Sequence, residues 1–269
     1  MPSVRWPPIV GYWRNTPARR SSGAFGYCVV RSGLSGSGDG TTSGAIAEAR
    51  RLTHPPSLAA SLTLTNILLS LIGDDEPLGE RASELVAIAT EQGFAFRRAM
   101  GTFSRGWLKV KNGDAAEGIS LLRRGLAAYR ATGAEVWVPH YLALVARACQ
   151  IAEEIEESFA LLDEAFQIVE RTGERWFEAE LHRHKGELLL QQGHVEAAEE
   201  LYCKALDIPR EQEARLWELR AAVSLAQLRR DRGRHAEARD LLAPIYGWFA
   251  EGFGTTDLKE AAVLLAELA

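Results

Sequence analysis

Cysteine is scarce, with only Cys28, Cys149 and Cys203 in 269 residues. They lie far apart and fit no metal-ligand spacing. An odd, sparse count points to reduced thiols and an intracellular, cytoplasmic home rather than a disulfide framework. Cys149 and Cys203 have apolar neighbours, which predicts buried structural thiols. A basic excess is also missing. The net charge is −5, so the total carries no electrostatic footprint of a nucleic-acid binder. The first 44 residues run against it, with five arginines and one acid, Asp39.

The usual marks of a reaction centre are absent as well. No H-E-x-x-H, C-x-x-C or G-x-S-x-G occurs in the chain. His182 and His184 are two apart, so on a helix they point to different sides and cannot share a metal. His194 and His235 follow turn glycines and read as solvated helix-start residues. The acidic run 153–158 reads as a helix start and the arginine run 229–234 as a helix end, each matching the helix dipole. These absences predict a non-enzymatic chain with no cofactor and no metal. No signal peptide is evident. The uncharged stretch 55–73 contains three serines, two threonines and an asparagine, which favours a buried helix over a membrane span.

What the chain does have is rhythm. Steps of forty residues give Gly73, Gly113, Glu153, Gly193 and Gly233. A second series gives Gly93, Gly133, Gly173, Glu213 and Phe253, the last flanked by Gly252 and Gly254. Glycine tolerates the positive φ that ends many helices. A stop every twenty residues therefore leaves helices of roughly 15–17 residues, about 24 Å long. Between stops, Val195, Ala198, Leu201, Tyr202, Ala205 and Ile208 fall at amphipathic helical spacing. Ile155, Phe159, Leu162, Ala165, Phe166 and Val169 repeat the stripe one unit earlier. Trp137, Phe177 and Trp217 recur in register, and Pro55, Pro56, Pro77 and Pro139 sit where helices begin.

A lone amphipathic hairpin cannot bury its stripe, but a row of them can. The expected fold is an all-α, right-handed α-solenoid over 45–269, with about five 40-residue helix–turn–helix units and a C-terminal capping helix. Within a unit, small residues recur at Gly186, Ala198 and Ala205, with a large one at Tyr202. That is a tetratricopeptide-like pattern, with a period of forty rather than about 34.

Several strings carry a further likeness: "LTHPPSLAASL", "ATEQGFAFRRAMGTFSRGW", "GLAAYRATGAE", "VERTGERWFEAELHRHKGELLL" and "RDLLAPIYGWFAEGFGTTDLKEA". From about Ala45 to the C-terminus the chain resembles the C-terminal tetratricopeptide region of large bacterial ATPase and adenylate/guanylate cyclase-type signalling proteins. These carry a cyclase domain and an AAA-type ATPase ahead of their repeats. The resemblance implies the repeat end of such a protein without its enzymatic parts. Two departures stand out: Glu153 and Ile155 replace the usual Gly and Pro of one turn, and Pro209 interrupts a helix that normally runs through. Pro209 is expected to shorten or kink the helix around 194–212.

Residues 1–44 show no helical period and no likeness to that family. They read as a disordered or irregular Gly/Ser/Arg-rich tail. The stretch "GLSGSGDGTTSG" lacks the lysine and the following helix that a phosphate loop needs.

A solenoid works through its concave face, lined mainly by the first helix of each unit. The residues expected there are His140, Arg147, Gln150, Glu180, Arg183, His184, Glu187, Arg220, Gln227 and Arg230. This mixed basic and polar row suits a peptide of acidic character. The lysine and asparagine positions of the two-carboxylate clamp in chaperone-binding relatives are not reproduced. In the first unit the equivalent row is apolar, at Ala60, Leu64, Ile67 and Leu71, so self-association through 58–71 is expected. The expected function is a non-catalytic, regulatory protein–protein interaction module, binding a protein, a peptide or upstream domains of a parent protein. The alternatives are the solenoid part of a transcriptional regulator and, behind it, a nucleotide-binding enzyme fragment.

Overall fold

The computed structural model describes the backbone of residues 38–269 and the side chains from Ser43 onward. Most of the expected tail, with Cys28 and the start of the glycine-rich stretch, lies outside the described residues. Twelve helices and no strand occur among those described. They are α1 (Gly38–Arg51), α2 (Pro55–Ile72), α3 (Asp75–Glu91), α4 (Ala95–Lys111), α5 (Ala115–Ala131), α6 (Val138–Ile151), α7 (Ile155–Thr172), α8 (Glu178–Gln191), α9 (Val195–Gln212), α10 (Arg215–Asp231), α11 (His235–Tyr246) and α12 (Thr256–Glu267). Five hairpins stack in order from α2/α3 to α10/α11, and α12 packs on α10 and α11 as a cap. The fold is an all-α, tetratricopeptide-like solenoid.

One boundary differs from expectation. Residues 38–44 belong to a helix, because α1 begins at Gly38. Glycine disfavours that conformation, but α1 carries Ile46 into a core cluster with Ala59, Leu62 and Leu85. Packing of an apolar stripe decides where marginal helices form.

The glycine rhythm is a rhythm of backbone conformation. Gly73, Gly93, Gly113, Gly133, Gly173, Gly193 and Gly233 all have positive φ, between 70° and 89°. Of the three register positions that lack glycine, Glu153 and Glu213 adopt it too, with φ 63° and 55°, and at the third, Phe253, the preceding Gly252 does, with φ 81°. So does Thr53, one twenty-residue step before Gly73, at 46°. A side chain in this region costs roughly 1–2 kcal/mol, yet the stacked helices on either side hold the turn in the same shape.

Inside a hairpin the small and large positions fit one another. A Cβ on Gly186 would lie 2.7 Å from Tyr202 Cε1, so the ring of α9 occupies the space that the missing side chain leaves on α8. Between units, an aromatic ladder follows the register. Trp137 and Trp176 have centroids 4.5 Å apart, and Phe177 meets Trp217 edge-on at 5.5 Å. Trp217 Nε1 donates to the Trp176 carbonyl at 3.0 Å.

Pro209 does not shorten its helix. α9 runs to Gln212 with the proline buried inside it. Near a C-terminus the ring forfeits a single amide donor, and the Pro209 carbonyl still accepts from Ala214 N at 2.8 Å.

The row of hairpins curls until its ends meet. The Arg220 guanidinium of α10 donates to the carbonyl of Leu71, 149 residues earlier. Ile72 shares a small cleft with Leu216, Leu219, Phe249 and Leu258. Helix α2 is long and apolar enough to cross a membrane by length and composition alone. Here it sends Leu62, Leu69 and Leu71 inward. The expectation of an unpartnered apolar row is thus corrected: Leu71 is buried in the main core and Ile67 packs against it, while Leu64 stays exposed.

Candidate functional site

Curling encloses a trough of about 450 Å³ between the first helices of the hairpins and the cap. Eight of the ten expected residues line it: His140, Arg147, Glu180, Arg183, His184, Glu187, Arg220 and Gln227. The other two turn to partners elsewhere. Gln150 donates to Gln191 Oε1 at 3.1 Å, and Arg230 pairs with Asp231 at 2.9 Å and with Glu267.

Much of the trough wall is withdrawn from solvent. Glu180, Arg183, His184 and His140 are buried. Arg183 forks onto Glu180, with Nε to Oε1 at 2.7 Å and Nη2 to Oε2 at 3.0 Å, and also pairs with Glu187. Arg220 forks onto Asp257 of α12 at 2.6 and 2.9 Å and lies 3.5 Å from Glu180. Its guanidinium also sits 5.0 Å from the Trp217 ring centroid. Glu180, Arg183, His184 and Glu187 fall at helical i, i+3, i+4 spacing on α8, so one face of the helix supplies both signs of charge.

Burial alone would raise the carboxyl pKa of Glu180, but Arg183 and then Arg220 outweigh it and hold the group down at about 2. Glu187 is likewise held well below the usual carboxylate range, burial again being overcome, here by Arg183 and then His184. Burial pushes His140 down to about 3 and also lowers His184, which Arg183 depresses further. Both imidazoles are therefore neutral near pH 7, and His184 donates from Nδ1 to Glu187 Oε2 at 3.0 Å. The neighbouring His182 lies elsewhere, its ring tilted against Phe166 with centroids 4.7 Å apart.

Arg147 is the exception among the trough cations. It makes no ion pair or hydrogen bond among the described residues. Its guanidinium lies 5.7 Å from the centroid of Trp107, a cation–π arrangement. Desolvation in the concavity lowers its pKa, but an arginine stays charged at any physiological pH.

Sequence reasoning missed four contributors. Trp107 was available, because it stands one forty-residue step before Arg147. Lys111 lies on the same helix and pairs with Asp75. Asp257 and Glu260 come from the cap, where no repeat pattern marks an inward face.

One potential metal cluster lies away from the trough. Cys149 Sγ and carboxylate oxygens of Glu154 and Glu157 lie within 4.8 Å of one another. The Arg123 guanidinium already occupies this group, 2.6 Å from Glu157, 3.4 Å from Glu154 and 4.0 Å from the sulfur. Burial, then the Glu157 charge, push the thiol up to about 12. Cys149 is buried, as expected, whereas Cys203 is only partly buried.

A tetratricopeptide repeat family model matches residues 140–211, from α6 through most of α9, so the chain carries a tetratricopeptide repeat region. An uncharacterized protein of Rhizobium meliloti (strain 1021) is 28% identical over 199 residues, covering 73% of this chain and 19% of that protein. The chain thus spans about a fifth of the length of the curated relative it matches. Among solved structures, the apo form of the quorum sensor NprR from B. thuringiensis superposes with a TM-score of 0.61 at 13% identity, over 96% of this chain and 74% of NprR. The Rap protein complexed with competence and sporulation factor gives 0.55 at 16% identity, over 78% of this chain and 62% of Rap. BtubC from P. vanneervenii gives 0.54 at 15% identity, over 86% and 90%. At these identities the likeness is one of fold.

Proposed function

We propose that this chain is a non-catalytic docking module that holds an extended segment of a protein or peptide in its trough. The observation that carries this reading is Arg147, a cation in no direct ion pair on the wall of a concave site whose other cations are each in one. The solved Rap structure, a relative in fold, contains a bound factor, which supports a ligand-holding role for such a scaffold. We further propose that the module belongs to a cytoplasmic bacterial signalling protein of the ATPase and cyclase type. The strings quoted above support this, as does the much greater length of the curated relative.

An array of random decapeptides with blocked termini tests the docking role. Wild-type protein should retain a sequence-selective subset. Ser224, which lines the trough, should abolish retention when replaced by tryptophan, because the larger ring fills the site. Glu200 is exposed on α9, and Glu200→Trp should leave retention intact. No retention, or retention indifferent to Ser224→Trp, would overturn the proposal.

A further inference from the structure

The charged groups lining the trough can be assigned partner by partner. Arg183 is matched by Glu180 and Glu187, Arg220 by Asp257 and Glu180, and Lys111 by Asp75. Two ionised groups are in no direct ion pair. Arg147 on α6 is in no direct ion pair or hydrogen bond among the described residues; it contacts the Trp107 ring and feels the Glu187 charge, which Arg183 already holds, only at longer range. Glu260 on α12 lines the same trough, is exposed and has neither an ion pair nor a hydrogen bond among the described residues. One unpaired positive charge therefore stands on a central hairpin and one unpaired negative charge on the cap. A ligand of a single sign would satisfy one and face the other.

From this separation we infer that the docked segment is dipolar, with a carboxylate side chain received at Arg147 and a cationic side chain received at Glu260. The inference rests on the docking role proposed above and adds the partner's charge order. Arg147 is suited to its part, because its fork can donate two hydrogen bonds to one carboxylate while its face stays on the indole. Glu260 is suited to a lysine or arginine that remains partly in water, since its own carboxylate is open to solvent. The paired charges between them form a wall of alternating sign. That wall penalises a ligand of uniform charge, because misplaced like charges repel across a concave, partly desolvated surface.

The probe is a positional-scanning library of blocked decapeptides. Aspartate or lysine is fixed at each pair of positions, and the remaining positions are equimolar mixtures without charged residues. Wild-type protein should favour pools carrying one acid and one base at a fixed separation and in one order, over the reversed order and over pools of a single sign. Arg147→Glu should lose the favoured pool by about tenfold to a hundredfold, the worth of one charge-assisted hydrogen bond. It should gain pools with lysine at the former acid position. Glu260→Lys should exchange the preference at the other position alone. Sequence-selective retention with no order preference, or with an order preference that both variants leave unchanged, would overturn the dipolar assignment and leave the docking role standing. Failure to retain any pool here and any spot on the random array would overturn both.

Discussion

Replacing Arg220 by methionine tests whether the ends of the solenoid are clasped. The substitution keeps part of the apolar stem and removes the guanidinium. That group joins three distant parts of the chain: the Leu71 carbonyl at the end of α2, Glu180 on α8 and Asp257 on α12. Removing one partner of a buried ion pair costs about 3–5 kcal/mol, chiefly because the other charge is stranded. Here Arg220 and Asp257 retain 21% and 12% side-chain exposure, so water re-solvates part of the stranded carboxylate. Glu180 keeps its fork to Arg183. The expected loss is therefore smaller, about 2 kcal/mol, still mostly the cost of stranding a partner. At roughly 2–4 °C per kcal/mol for a chain of this size, the apparent melting midpoint should fall by about 4–8 °C. Stability in a solenoid is a sum over neighbouring units, so the damage should concentrate at the two ends. Small-angle X-ray scattering should show a larger radius of gyration as α2 swings away from α12, with helix content unchanged by circular dichroism. An unchanged midpoint and an unchanged scattering profile would refute the clasp.

Three further predictions concern individual residues. Glu153 holds a left-handed turn that glycine would hold without strain; Glu153→Gly should gain about 0.5 kcal/mol, the relief of strain being partly offset by a freer unfolded chain, and chemical denaturation should show a higher midpoint. Asn66 is buried with neither amide atom partnered, at a register position where later units carry Gly106, Ala146, Gly186 and Ala226; Asn66→Ala should be neutral or stabilising by up to about 2 kcal/mol, and a loss above about 1 kcal/mol would reveal a hidden partner such as a buried water. Glu180 has its pKa lowered from 4.5 to about 2, so its carboxylate contributes stability that is fully present above the unfolded value and is lost as pH falls through the folded one. The stability gap between wild type and Glu180→Gln should be about 3 kcal/mol at pH 6 and should close between about pH 4.5 and 2 in denaturant titrations.

The repeat was legible because it is a property of turns. Glycine at twenty-residue intervals marked the hairpins, and the structure extends the same backbone shape to Glu153, Glu213 and Thr53, where residue type alone gave no sign. The inward row was legible for the same reason: eight of its ten residues reach the trough. How tightly the row curls was not legible. Helical periodicity says which face points inward, but the meeting of Leu71 with Arg220 depends on small angles between hairpins summed along the stack. That sum folded the inward row into a buried charge network around Glu180 and Arg183, and it covered Leu71 and, in part, Ile67, in the apolar row from which self-association was expected. Asp257 and Glu260 escaped because the cap lies outside the repeat, and α1 escaped because its glycines concealed the stripe that holds it.

Docking in the trough is tested most directly by site-specific photocrosslinking. A benzophenone side chain at Gln227, exposed on the trough wall, and another at exposed Glu200 on α9 would be irradiated in turn with a peptide retained from the array. The proposed function predicts a peptide adduct from position 227, lost on Arg147→Glu and absent from position 200. Adducts from position 200 alone, or none from 227 while the peptide stays bound, would contradict it.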